Sequence, residues 1–188
     1  MVATALLGAL LLIATYTDIR WRIIHNTTTY GGLVLAWVAS GWASWAGVDV
    51  SSGTPAEVVR WGWVSFADSL LGTVVCGAAM LLCYLFFARE LGGGDVKLIA
   101  MIGAYLGPYA GLEAMLWTMV IGGVMALVIL VWRVGALRLA ALLTRYLLAA
   151  GRGARPTLAD DERAALRTDL FLSPSALLAV MVVRLEML

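Results

Sequence analysis

The sequence predicts an all-α, polytopic integral membrane protein with about six transmembrane helices and its N-terminus outside. Three observations lead there. Of 188 residues, 62% are hydrophobic and 13% are charged, whereas a soluble domain carries roughly 25% charged residues. Thirteen basic and twelve acidic side chains are too few to solvate a globule of this size. Apolar runs recur at 2–17, 27–46, 70–88, 98–132 and 170–183, on the length scale of the ~20 residues that a helix needs to cross a bilayer. The basic residues, finally, gather on one side of these runs. Disorder is excluded, because disordered chains are poor in hydrophobic residues.

The first run, 2–17, has no lysine or arginine ahead of it. A secretory signal opens with basic residues, so this run is expected to be a retained span. Spans at 27–46 and 70–88 follow. The run 98–132 contains 35 residues and one charge, Glu113. As a single helix it would measure ~52 Å, well beyond a ~30 Å hydrocarbon core. Gly107-Pro108 and Gly111 mark where it folds back, dividing it into helices at 96–108 and 112–133. The first of these is short for a full crossing. In 135–152, Arg138, Arg145 and Arg152 recur every seven residues and share a face. Burying two arginines mid-bilayer costs roughly 2.5–3.5 kcal/mol each. The segment is therefore read as an amphipathic helix on the inner membrane surface. A last span at 170–186 completes one membrane domain over 1–188.

With the N-terminus outside, the inner side holds Arg20, Arg22, Arg89, Lys97 and the seven arginines from Arg133 to Arg167. Only Arg60 and Arg184 fall outside. Eleven against two is a strong positive-inside bias. Trp42, Trp45, Trp61 and Trp63 flank the outer loop as an interfacial belt. A net charge of +1 gives no field for nucleic acid. One histidine, His25, cannot form a His-rich metal site. Cys76 and Cys83 are seven apart on one helix face, which disfavours a disulfide. Neither metal nor cofactor is expected.

Two acidic residues stand in unusual company. Asp18 ends the first span in TDIRWRIIHN, and on a continuing helix Asp18, Arg22 and His25 or Asn26 share one face. Asp95 follows Gly92, Gly93 and Gly94 and opens the next helix at Val96-Lys97. Three glycines leave the backbone free to take positive φ and admit another segment closely. Two crossings separate the aspartates, which returns both to the inner side. Two carboxyls held together share a proton. One then acts as general base on a water while the other polarises a carbonyl, the chemistry of an aspartic protease. Other readings remain open on the residues alone. An aspartate at a helix N-terminus is also an ordinary cap, and one at a membrane boundary is ordinarily solvated. A small transporter or channel component with these two as ion-pathway carboxylates is the competing function, and it expects ionisable groups near the midplane.

The residues also carry a resemblance. GGGDVKL, followed by an apolar helix reaching Gly103 and Gly107, resembles the GxGD motif of the prepilin peptidases, the type IV leader peptidases. TDIRWRIIHN resembles that family's first aspartate motif through Asp18, Arg20, Arg22, Ile23 or Ile24, and Asn26, with His25 where the family commonly has proline. The resemblance extends over nearly the whole chain, including LFLSPSALLAV in the last span. It implies an aspartic endopeptidase of the prokaryotic cytoplasmic membrane. Its substrates would be type IV pilin-like precursors, prepilin/Flp or preflagellin, cleaved at the cytoplasmic face. Asp18 and Asp95 map onto the family's catalytic pair. Gly92, Gly93 and Gly94 would form a flexible wall for an extended substrate segment, with Lys97, Asn26 and Arg22 as further contacts. The partners implied are a prepilin-like protein with a hydrophobic leader and the lipid bilayer. The larger bifunctional members of the family carry a paired-cysteine domain that N-methylates the product. No such insertion separates the first two spans here and no CxxC is present, so no methyltransferase activity is expected.

Overall fold

A computed structural model describes residues 2–21, 23–46, 62–86, 92–151 and 172–186, and every regular element among them is an α-helix. In chain order these are α1 (Val2–Trp21), α2 (Asn26–Trp45), α3 (Phe66–Phe86), α4 (Gly93–Val134), α5 (Ala136–Gly151) and α6 (Leu172–Glu186). The chain divides into two compact units, Met1–Ile121 with Phe171–Leu188, and Gly122–Leu170.

Three helices, α1, α3 and α4, are long and apolar enough to cross a membrane, and α6 contributes a shorter apolar stretch, Leu172–Arg184. The 20 residues of α2 would reach ~30 Å, but Thr27, Thr28, Thr29, Ser40 and Ser44 dilute its hydropathy. Large apolar side chains such as Leu12, Val38, Val74, Leu85 and Leu116 point outward. Such a surface suits lipid, and the chain is an all-α polytopic membrane protein.

Inside the first unit the helices meet along narrow stripes. The buried positions are Ala3, Leu7, Leu11, Ala14 and Thr17 on α1, and Thr29, Gly32, Ala36, Ser40 and Ala43 on α2. On α3 they are Ser69, Gly72, Cys76 and Met80. Steps of three and four residues keep each set on one face. Most members are small, as expected where helices in lipid associate through close backbone approach and van der Waals contact. α1 packs on α6 and α2, and α2 packs on α3.

The first half of α4 is apolar on every side, and Leu98, Ile99, Met101, Ile102, Ala104 and Tyr105 are all fully buried. A helix with no polar face must be surrounded by protein or lipid, and here its neighbours are protein. A methyl group on Gly32 would strike the Met101 sulfur, and one on Gly72 would strike the Gly103 carbonyl. Ser69 Oγ donates a 2.7 Å hydrogen bond to the Ala104 carbonyl. At Gly107 (φ 80°, ψ 180°) the helix breaks. A Cβ on Gly111 would lie 2.9 Å from the Gly103 Cα, although eight residues of straight helix would separate them by ~12 Å. The chain therefore doubles back at Gly107-Pro108. Only glycine readily takes that φ, and Pro108 suits the first turn of the second helix.

Two sequence expectations change. α1 runs past residue 17 to Trp21 and ends there, residues 23–25 are not helical, and His25 (φ −67°, ψ 130°) precedes α2. Asp18 and Asn26 thus sit on different helices, not on one continuous face. α3 starts at Phe66, four residues earlier than the apolar run suggested, because Ser65 and Asp68 cap it. The Asp68 N–H donates to Ser65 Oγ at 3.1 Å, and Ser65 Oγ donates to Asp68 Oδ2 at 2.7 Å.

The second unit holds the last turns of α4, Gly135 and α5. Gly135 (φ 88°) ends α4, with its N–H bonded to the Val131 carbonyl at 2.9 Å. Along α5, Arg138 and Arg145 are exposed and seven residues apart. Arg152 lies outside the described residues.

Candidate active site

Asp18 sits one residue beyond the last member of the buried α1 stripe, Thr17, and is half-buried. Its partner comes from the far end of the sequence. Ser173 Oγ donates a 2.7 Å hydrogen bond to Asp18 Oδ2 across 155 residues. Ser173 is fully buried, in the first turn of α6 beside Pro174. Proline is tolerated there because the first amides of a helix have no intrahelical acceptor.

Asp95 is held differently. The Gly92 N–H donates to Asp95 Oδ2 at 3.0 Å, and the Asp95 N–H donates to the Gly92 carbonyl at 3.0 Å. This reciprocal pair resembles a capping box, in which the third helical residue reaches back to the amide before the helix. It places an acidic group at the positive end of the α4 dipole. Gly93 and Gly94 are helical and do not use the positive φ open to glycine. Gly94 serves close approach instead: a methyl group there would stand 3.2 Å from Ile24 Cβ. Among the described residues nothing lies within 4 Å of the corresponding point on Gly93, which is exposed.

A second link ties the same two segments. Lys97 Nζ donates a 2.7 Å hydrogen bond to Asn26 Oδ1 and lies 5.0 Å from the centre of the Tyr30 ring, within cation–π range. The turn between α1 and α2 is thereby seated on the start of α4 at two points, Ile24 on Gly94 and Asn26 on Lys97. That seating brings the two aspartate segments together. The charge of Asp18 acts on Asp95, so the two carboxyls lie within electrostatic reach of one another. Each has its Oδ2 engaged by a neutral donor.

Of the residues singled out in the sequence, Asp18, Asp95, Gly92, Gly94, Lys97 and Asn26 take part in these contacts. Gly93 faces open space, and Arg22 lies outside the described residues. Sequence reasoning missed three participants: Ser173, Ile24 as the partner of Gly94, and Tyr30. Tyr30 lies one turn beyond Asn26 on the same helix, so spacing could have joined those two. Nothing local announces that Ser173 meets Asp18. Among the described residues no group of three or more His, Cys, Asp or Glu is placed to hold a metal ion.

Two carboxyls beside an exposed glycine, Gly93, suit the activation of a water against an extended chain. No curated protein matches the chain, and no solved structure does. A family model does match, that of the type IV leader peptidase family, over residues 5–127. The matched stretch is about two thirds of the chain and contains both aspartate segments. The chain belongs to the type IV leader peptidase family, a family of proteases.

Proposed function

We propose that this protein is an aspartic endopeptidase that removes the leader of type IV pilin-like precursors, prepilin/Flp or preflagellin, with Asp18 and Asp95 as its catalytic pair. The observation that carries the reading is the seating of the segment after Asp18 on the helix start that bears Asp95, Ile24 on Gly94 and Asn26 on Lys97, with one oxygen of each carboxyl already held.

The chemistry follows from the shared proton. Two carboxyls in a poorly solvated site keep one proton between them, since ionising both is costly. The ionised member takes a proton from water as its oxygen attacks the scissile carbonyl carbon. The protonated member donates to the carbonyl oxygen, giving a neutral tetrahedral diol. When the C–N bond breaks, the nitrogen takes a proton from one carboxyl and the diol hydroxyl returns one to the other. Water is divided between the new carboxyl and the new amine, and the pair regains its starting state.

The scissile segment runs extended along Gly92, Gly93 and Gly94, where the open space at Gly93 admits a substrate backbone. Asn26, Lys97 and Arg22 supply further contacts to the substrate. The basic residues support six spans with the N-terminus outside and the pair at the cytoplasmic rim. There a hydrophobic substrate helix in the bilayer presents its leader to the site. With Cys76 and Cys83 as its only cysteines, the chain acts as a peptidase and does not methylate its product.

Co-expression with a prepilin-like precursor tests this. The wild-type chain yields a shortened product with an unmethylated N-terminus by mass spectrometry, whereas Asp18→Asn and Asp95→Asn leave the precursor intact. Processing by both variants would overturn the reading.

A further inference from the structure

We infer that Ser173 is a positioning residue for the Asp18 carboxyl, so that α6 completes the active site. The inference rests on the reading of Asp18 and Asp95 as the catalytic pair. It concerns a helix beyond residues 5–127, the stretch that the family match covers.

A carboxyl turns easily about its terminal torsion, which is broad and roughly two-fold. One short hydrogen bond at Oδ2 selects a single plane and leaves Oδ1 for the reacting water. Ser173 supplies that bond at 2.7 Å from a fully buried site, where no water competes for its hydroxyl. Its place is set by the packing beneath it. Ala176, Ala179, Val180 and Val183 continue the buried face of α6, and α1 packs more extensively on α6 than on α2. Pro174 fixes the backbone of the same turn.

The chemical type of the donor also fits. A hydroxyl orients a carboxyl without adding charge. An arginine or lysine at the same point would hold Asp18 ionised and weaken proton sharing with Asp95. Asp95 has the equivalent arrangement, because its Oδ2 takes the neutral Gly92 amide. Both members of the pair are thus oriented by uncharged donors, one from the backbone before α4 and one from a side chain on α6.

Full-length wild type, Ser173→Ala and Ser173→Thr, purified into lipid vesicles with a prepilin-like precursor, provide the test. Ser173→Ala lowers kcat about tenfold, the fold equivalent of one hydrogen bond to a carboxylate. Its KM stays within about twofold, because substrate binding does not depend on the hydroxyl, and its melting temperature falls only by the small amount that one lost hydrogen bond brings. Ser173→Thr, which keeps the hydroxyl, recovers most of the rate. A Ser173→Ala enzyme with wild-type kcat overturns the inference, as does a Ser173→Thr enzyme no faster than Ser173→Ala. Asp18→Asn and Asp95→Asn are measured alongside. If both are inactive while Ser173→Ala is fully active, only the role of Ser173 falls. If both still cleave, the catalytic pair falls and Ser173 with it.

Discussion

Ile24 packs on Gly94 so closely that a methyl group on the glycine would stand 3.2 Å from the isoleucine Cβ. One contact between a turn and a helix start thus joins the segment after Asp18 to the segment before Asp95. Gly94→Val crowds this contact and lowers cleavage about ten- to hundredfold, the rate equivalent of 1–3 kcal/mol of overpacking. Adding Ile24→Ala restores part of the loss. Cleavage kinetics on the single and double variants check this, and an additive double loss contradicts it.

Lys97 and Asn26 form the second joint, at 2.7 Å. Lys97→Met and Asn26→Ala each lower stability by about 1–2 kcal/mol, and the double variant loses little more than one alone. A double-mutant cycle on denaturation in detergent reads the coupling. Independent, additive losses would show that the bond contributes nothing.

These joints show what was legible in the sequence and what was not. The helical membrane class was legible because it depends on composition and run length, which need no knowledge of neighbours. The break in the run 98–132 was marked by Gly107-Pro108, residues whose backbone limits are intrinsic. The unusual setting of Asp18 and Asp95 was also visible, because each meets an apolar run among atypical residues. The end of α1 at Trp21 was not, since nothing between Asp18 and Asn26 is a strong helix breaker. Ser65 did carry a capping signal with Asp68, but hydropathy alone placed that start too late. The contact of Ser173 with Asp18 was out of reach, because it depends on how α6 returns to α1.

Gly72 and Gly103 hold α3 against α4, and a methyl group on either would collide with the backbone of the other. Gly72→Val and Gly103→Val each cost about 3 kcal/mol, the upper end of overpacking, because the obstacle is backbone that cannot rotate away. Gly107→Ala costs about 1–3 kcal/mol through its φ of 80°. Folded yield and melting temperature in detergent check all three, and wild-type values would contradict the close crossing or the turn.

Cleavage falls at both ends of the pH range. In acid both carboxyls hold protons and no base remains; in alkali neither does, and no acid remains. The kcat/KM profile of the wild-type protein is therefore bell-shaped. A rate that rises to a plateau and stays there would indicate a single titrating base.

Single-turnover cleavage of a prepilin-like precursor by purified wild type, Asp18→Asn, Asp95→Asn and the double variant tests the catalytic pair most directly. Residues that act as a unit lose nearly everything when either is removed, so each single variant falls by about 10³-fold or more and the double variant falls no further. Cleavage at the wild-type rate by either single variant would contradict the account.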